Sequence, residues 1–431
     1  MRQLDSANGP ATRRQPSAQT ILNGEVHNWY RLRLGYSDHL VADLLDKFGL
    51  RAGDSVLDPF CGSGTSLVEC MKKGIDSVGI DANPSSCFAA TVKTNWQLQP
   101  TTLLSLLDDI ERAFNRCLRS STLCSDPTFL YLKETGMLER GWISPSPLVQ
   151  SLAIKRAICD LHTSSSYKNA LFLALIAEVV DGASNVKFGP ELYCGPSRDD
   201  HDVLAGFVDR LELMASDLKT VRNIPNYGAA EVLFGDSRKC RAVFARRRNV
   251  FSAVICSPPY PAEHDYTRNA RLELAFLEAV RDRDTLREIK KGMIRSHTKG
   301  IYKSDRDDKY VVSNKTIKAL VTELEEAIIG KKYGFARLYP KVVQEYFGGM
   351  KRHLMSVLKL LSPGGLCAYV VGDQGSYLGV HVPTAKILAQ LAEEAGFEVT
   401  DIKKWRTRWA STSARGIDEN IVLFKKAITR D

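Results

Sequence analysis

Short apolar runs recur along the chain at 55–58, 77–81, 231–236, 252–256, 365–372, 397–405 and 420–426, and helical patterns separate several of them. This alternation constrains the fold more than any other feature. The runs are rich in β-branched residues and read as strands of a buried parallel sheet. The helical pattern at 37–50 has Ser37 as an N-cap candidate and Gly49 as a C-cap candidate. The pattern at 65–74 ends in Lys72, Lys73 and Gly74, which suit a helix C-terminus. The amphipathic stretch 384–397 stops at Gly396. Alternating strands and helices predict a Rossmann-like, doubly wound α/β sheet.

Two segments interrupt the alternation and are too long for simple crossovers. Residues 97–225 read mainly helical, and 261–335 read polar, basic and weakly periodic. The first is expected to be a helical insertion and the second a basic insertion that recognises the target. That leaves 23–96, 226–260 and 336–431 for the sheet domain. Residues 1–22 are polar, lack the apolar segment of a signal peptide, and read as a disordered leader. No run of 18 apolar residues exists, so no membrane span is expected.

Ten cysteines are present, none in a C-x(2–4)-C pair, which argues against a zinc site. They read as free thiols of a reducing, cytoplasmic setting. The net charge of +9 is compatible with a polyanionic partner. Basic residues concentrate at 281–303, including Arg287, Lys290, Lys291 and Arg295, and at 403–409. Interleaved Tyr302, Trp405 and Trp409 can stack on bases, although a charge run alone also suits a solvated face.

The stretch 56–70, VLDPFCGSGTSLVEC, reads as a strand ending at Asp58, a glycine turn, and a helix opening near Thr65. Gly62 and Gly64 let the backbone approach a ligand, and the helix start offers free N–H groups. The third glycine of a dinucleotide fingerprint is absent, with Leu67 in its place, which disfavours NAD. Asp81, at the tip of the next strand, is placed to accept both ribose hydroxyls of a nucleoside cofactor. Asp236 ends a third strand and could accept from an adenine amino group.

The fourth run ends in Ser257-Pro258-Pro259-Tyr260. Two prolines stop a strand and fix φ twice, so a rigid turn is the plain reading. Beside a nucleoside site it gains chemistry. The Pro258 carbonyl and the Ser257 hydroxyl form a rigid acceptor pair, and Tyr260 adds a flat ring.

DPFCGSGT, then GIDANP, GD and SPPY, resembles the amino-group DNA methyltransferases that use S-adenosylmethionine, and the serine form resembles the cytosine-N4 enzymes. The order, glycine motif before SPPY, matches only some subgroups. The closing stretch 406–424 also resembles the family's end, with Asp418-Glu419 where an Arg-Glu pair is expected. The resemblance implies a seven-stranded, mostly parallel methyltransferase sheet. It implies that Phe60, Gly62, Gly64 and Thr65 shape the cofactor loop, with Asp58 near the methionine part. Asp81 would then hold the ribose and Asp236 the adenine. Ser257, Pro258, Pro259 and Tyr260 would bind and orient a base flipped from double-stranded DNA, and 27–40 would lie against the methionine end. The expected reaction is methylation of cytosine N4, with a partner nuclease possible. Adenine N6, an RNA substrate, or a catalytically silent nucleic-acid-binding subunit are the alternatives. A cytosine-C5 mechanism is excluded, because no proline precedes a cysteine.

Overall fold

The computed structural model describes residues 24–32, 35–119, 121–188, 192–244, 250–330, 334–409 and 416–428. The expected leader, 1–22, lies outside the described residues. Seven strands form the main sheet: β1 (Ser55–Asp58), β2 (Asp76–Asp81), β3 (Ala230–Phe234), β4 (Phe251–Cys256), β5 (Leu361–Gly372), β6 (Phe397–Trp409) and β7 (Gly416–Lys426). Their spatial order is β6-β7-β5-β4-β1-β2-β3. The neighbours β4/β5, β1/β4, β1/β2 and β2/β3 are parallel, while β7 runs antiparallel to both β5 and β6. The sheet is thus doubly wound and mostly parallel, as the strand–helix alternation predicts.

Both faces of the sheet are covered, and the pleat shows it. Ala253, Ile255, Ala368 and Val370 pack on one face with Leu40, Val41, Leu44 and Leu45 of α1 (Asp38–Lys47). Their immediate neighbours Val254, Cys256, Cys367, Tyr369 and Val371 face the other way. There they meet Phe347, Met350 and Leu354 of α4 (Tyr339–Val357) and Leu388 of α5 (Thr384–Ala395). Adjacent residues point to opposite faces, so a strand buried on both must be apolar throughout. Each fully buried aliphatic side chain contributes roughly 1.5–3 kcal/mol. The helix ends follow the sequence with one difference. Gly49 lies past the end of α1 with φ +66°, while Ser37 occupies the N-cap position without making a cap bond.

Strand order reverses between β1 and its two neighbours, β2 and β4. Ligands of open α/β sheets gather in the crevice that such a reversal opens at the carboxyl ends. Asp58 and Asp81 end β1 and β2, and Ser257 follows β4.

The 97–225 segment holds helices Pro100–Ser105, Leu107–Cys117, Pro127–Glu134, Pro145–Asp160, Ser165–Glu178 and Val203–Val221, with two short strands, Val186–Phe188 and Leu192–Cys194, paired antiparallel. It has no separate core. Leu152, Leu171 and Phe207 join Val68, Ala89, Val92, Trp29 and Tyr30 in one apolar cluster around α2 (Thr65–Lys72) and α3 (Pro84–Lys93). Trp29 Nε1 and the Val26 amide both donate to Asp217, at 2.9 and 2.8 Å, tying the segment to the start of the described chain.

The 261–335 segment combines an apolar helix stripe, Ile317, Leu320 and Leu324 of Lys315–Ile328, with a set of buried charge pairs. Arg295 meets Asp305 at 2.9 Å with both side chains buried, Lys290 meets Asp265 at 2.6 Å, and Asp307 takes both Arg238 (2.8 Å) and Arg352 (3.0 Å). Among the described residues no helix is long and apolar enough to cross a membrane, and no cluster of metal-ligating side chains occurs. All ten cysteines are free thiols, six of them buried.

Candidate active site

A cavity of about 1470 Å³ opens at the carboxyl edge of β1, β2 and β4. It is larger than the roughly 300–1,000 Å³ of a single small-ligand pocket. Two reactants fit in one enclosure.

One side of the cavity is built from the glycine turn. After β1 the chain turns through Gly62 and Gly64, with φ +51° and +86°, before α2 begins at Thr65. The positive φ favours glycine at Gly62, where a Cβ would stand 2.8 Å from Leu32 Cδ2 and require that side-chain end to shift. The Gly62 amide donates to Asp81 Oδ2 (2.9 Å), and the Asn83 amide donates to Asp81 Oδ1 (2.8 Å). Asp81 lines the cavity, and burial raises its pKa to about 6 despite those amides. Each carboxylate oxygen keeps a further lone pair for an incoming hydroxyl.

Phe60, Gly62 and Asp81 line the wall, whereas Asp58, Gly64 and Thr65 lie behind it. Asp58 is buried, accepts from the Phe60 amide (3.0 Å) and the Tyr36 hydroxyl (3.3 Å), and is bonded to Ser66. Burial pushes its pKa to about 7. Its contacts are those of a brace that fixes Phe60 and the wall residue Tyr36.

Asp236 departs from expectation. It is not on the wall, which Ser237 reaches instead. Its two oxygens hold the Arg238 guanidinium at 2.8 and 3.0 Å and cap the turn that follows. Arg238 in turn donates to Asp307 and to the Lys291 carbonyl, so Asp236 joins the sheet edge to the basic segment. A group that sequence reasoning missed stands beside it. His353 is fully buried, and its pKa falls to about 4, chiefly through burial. Its Nδ1 lies 3.0 Å from the Ser237 carbonyl, which can only accept, so Nδ1 carries the proton and Nε2 accepts from Tyr369 (2.7 Å). Its ring packs on Phe60, with centroids 4.8 Å apart.

Ser257, Pro258, Pro259 and Tyr260 line the same cavity from the end of β4. Ser257 Oγ donates to the Val370 carbonyl of β5 (3.2 Å) and lies 3.4 Å from the Tyr260 hydroxyl. The Pro259 carbonyl accepts from Tyr346 of α4 (2.9 Å), and the Tyr260 amide donates to Tyr266 (3.0 Å). No donor among the described residues reaches the Pro258 carbonyl. The loop therefore presents two acceptors, the Pro258 carbonyl and the Ser257 lone pairs, beside an aromatic ring. Arg408 lies over that ring, 5.5 Å from its centroid, and pairs with Glu419 at 3.0 Å.

The basic segment closes the cavity with Ala262, His264, Tyr266, Asn269, Glu273 and residues around 290–297. Its cations are less available than their number implies. Lys290 and Arg295 are held in the ion pairs above, Lys291 pairs with Glu288 (2.6 Å), and Arg287 lies over the Tyr302 ring at 5.2 Å.

Residues 38–91, which span α1 to α3, match the family model described as DNA methylase. The chain is 25% identical over 458 aligned positions to the Type II methyltransferase M.BsoBI of Geobacillus stearothermophilus, covering 97% of this chain and 87% of that protein. It is 23% identical to the Type II methyltransferase M.AvaI of Anabaena variabilis, covering 91% and 83%. A 61-residue stretch is 46% identical to the Type II methyltransferase M.MjaII of Methanocaldococcus jannaschii, covering 14% and 12%. Along 38–91 the chain is thus similar to the DNA methylases, and along most of its length it is similar to Type II methyltransferases.

Proposed function

We propose that this chain transfers a methyl group from S-adenosylmethionine to the exocyclic N4 of cytosine in double-stranded DNA. One observation carries the reading. A rigid pair of hydrogen-bond acceptors with a tyrosine ring, Ser257 to Tyr260, lines the same cavity as the glycine turn and Asp81.

On this reading Asp81 accepts the ribose hydroxyls, and Phe60 lies beside the nucleoside. Asp58 acts from behind the wall by holding Tyr36 and Phe60. Asp236 holds Arg238, so the adenine is left to wall groups such as Ser237 and Asn83. The cofactor supplies an electrophilic methyl group when bound. The target base leaves the duplex to enter, stacks on Tyr260, and donates a hydrogen bond from each amino proton, one to Ser257 Oγ and one to the Pro258 carbonyl, without transfer of either proton. Those bonds draw the amino nitrogen toward sp3 geometry and free its lone pair for in-line attack. The rigid loop and the buried braces supply orientation, which is worth several kcal/mol of barrier in positioned reactions.

Selection of cytosine over adenine rests on the neutral Ser257 and on the resemblance of SPPY to cytosine-N4 enzymes. Ser257 gives its proton to the Val370 carbonyl, so it does not also donate to cytosine N3 in this arrangement. The wall contributed by 261–335 is proposed to meet the DNA.

The test is incubation with isotopically labelled S-adenosylmethionine and duplex DNA, single-stranded DNA or RNA, followed by digestion and nucleoside mass spectrometry. Labelled N4-methylcytosine from duplex DNA is the expected product. N6-methyladenine would move the target atom, a labelled RNA nucleoside would move the substrate, and no labelled nucleoside would favour a silent binding subunit.

A further inference from the structure

The acceptor role of Ser257 depends on where two protons go. Its own proton goes to Val370 (3.2 Å). The other belongs to Tyr260, whose hydroxyl lies 3.4 Å from Ser257 Oγ and could donate to it. Such a bond would occupy one of the oxygen's two lone pairs and draw electron density from the acceptor that the target amine meets. The phenol stays protonated, because burial and then the Glu419 charge raise its pKa. Its proton must therefore be directed elsewhere.

Glu419 provides the direction. It lies on β7, opposite Gly372 of β5 and Arg406 of β6, and is only 3% exposed. Its Oε1 accepts from the Tyr260 hydroxyl (3.4 Å) and pairs with Arg408 (3.0 Å), while Oε2 pairs with Arg406. The arginines hold the carboxylate in place, and an ionised carboxylate can only accept. We propose that Glu419 is a positioning residue: by holding the Tyr260 proton it keeps the Ser257 lone pairs open to the target amine. The role rests on the methyl-transfer reading above and deepens it, since Glu419 touches no reacting atom.

The test compares Glu419→Gln, Tyr260→Phe and the double variant by single-turnover methyl transfer at saturating donor and DNA, alongside thermal melting. A glutamine amide can donate to the phenol oxygen and turn its proton toward Ser257. Glu419→Gln should lower the rate by about tenfold or more, the scale of one misdirected hydrogen bond, without changing donor affinity. Tyr260→Phe should cost less, because the ring remains. On the phenylalanine background, Glu419→Gln should have almost no further effect, since no misdirected proton remains. An equal loss on both backgrounds, or no loss on either, overturns the proposal. If Glu419→Gln does not fold, Tyr260→Phe decides alone: a loss of about threefold supports it, and one beyond about tenfold shows that Ser257 needs the phenol. Failure of the unaltered protein to methylate any nucleic acid overturns the functional reading instead.

Discussion

The two halves of the cavity are built in different ways. The half around Gly62 and Asp81 comes from one continuous stretch, 58–83, in which backbone amides fix the acid and positive φ fixes the turn. The half around Ser257 is assembled from five places: the 257–266 loop, Tyr346 on α4, Val370 on β5, Arg408 on β6 and Glu419 on β7. A local turn can bind a common cofactor on many scaffolds. A site gathered from distant elements ties its chemistry to the whole sheet. The halves should therefore fail separately when altered.

The largest effect is expected at the assembled half. Ser257→Ala removes an acceptor from the developing transition state and should lower turnover by about 10²–10³, the loss seen when one preorganised catalytic hydrogen bond is deleted. Titration calorimetry should show unchanged donor affinity. A parallel loss of affinity would mean that the halves are not independent.

Next comes the local half. Asp81→Ala removes a charged acceptor, worth roughly 1.5–3 kcal/mol of donor affinity. Turnover should recover at saturating donor, and a folded variant with unchanged affinity would remove Asp81 from the site. Gly62→Ala should cost roughly 1–2 kcal/mol for its left-handed backbone, with more for the contact at Leu32. That loss should appear in melting and in donor affinity together.

The smallest effect is a pH dependence confined to the cofactor side. Asp81 titrates near pH 6 and must be ionised to accept from the ribose. Donor affinity should fall as pH drops through 6, by up to about tenfold per unit below it, and Asp81→Asn should flatten the profile. In the ligand-free protein Asp58 and Asp81, raised to about 7 and about 6, stabilise the folded state below roughly pH 4, and that contribution is lost as pH rises through the folded values. His297 and His353, lowered to about 4, act with the opposite sign between roughly pH 4 and 6.5. The difference in melting temperature between the unaltered protein and Asp81→Asn isolates the carboxyl and should decline as pH rises from about 4 to 6.

The same contrast explains what the sequence made legible. The strand cores were, because a strand buried on both faces must be apolar throughout. Strand ends were not, since β5, β6 and β7 extend into polar residues where pairing, not burial, sets the length. The glycine turn and Asp81 were legible because their spacing is local. Asp236 misled because a carboxylate at a strand tip looks alike whether it faces a ligand or an arginine two residues on; Arg238 was the available signal. In 281–303 the ion pairs of Lys290 and Arg295 were not legible, because their partners Asp265 and Asp305 lie outside the run. Tyr346 and His353 sit in α4 among core residues, and periodicity cannot distinguish a wall or brace from packing.

The most direct test of the central claim, that donor and target meet in one cavity, is a structure with S-adenosylhomocysteine and a duplex carrying the target base. The account predicts the ribose hydroxyls on Asp81 and the flipped ring against Tyr260. It also predicts the amino nitrogen within hydrogen-bond distance of Ser257 Oγ and the Pro258 carbonyl, facing the sulfur. A cofactor seated away from Gly62 and Asp81, or a base whose amino group points away from Ser257, would contradict it.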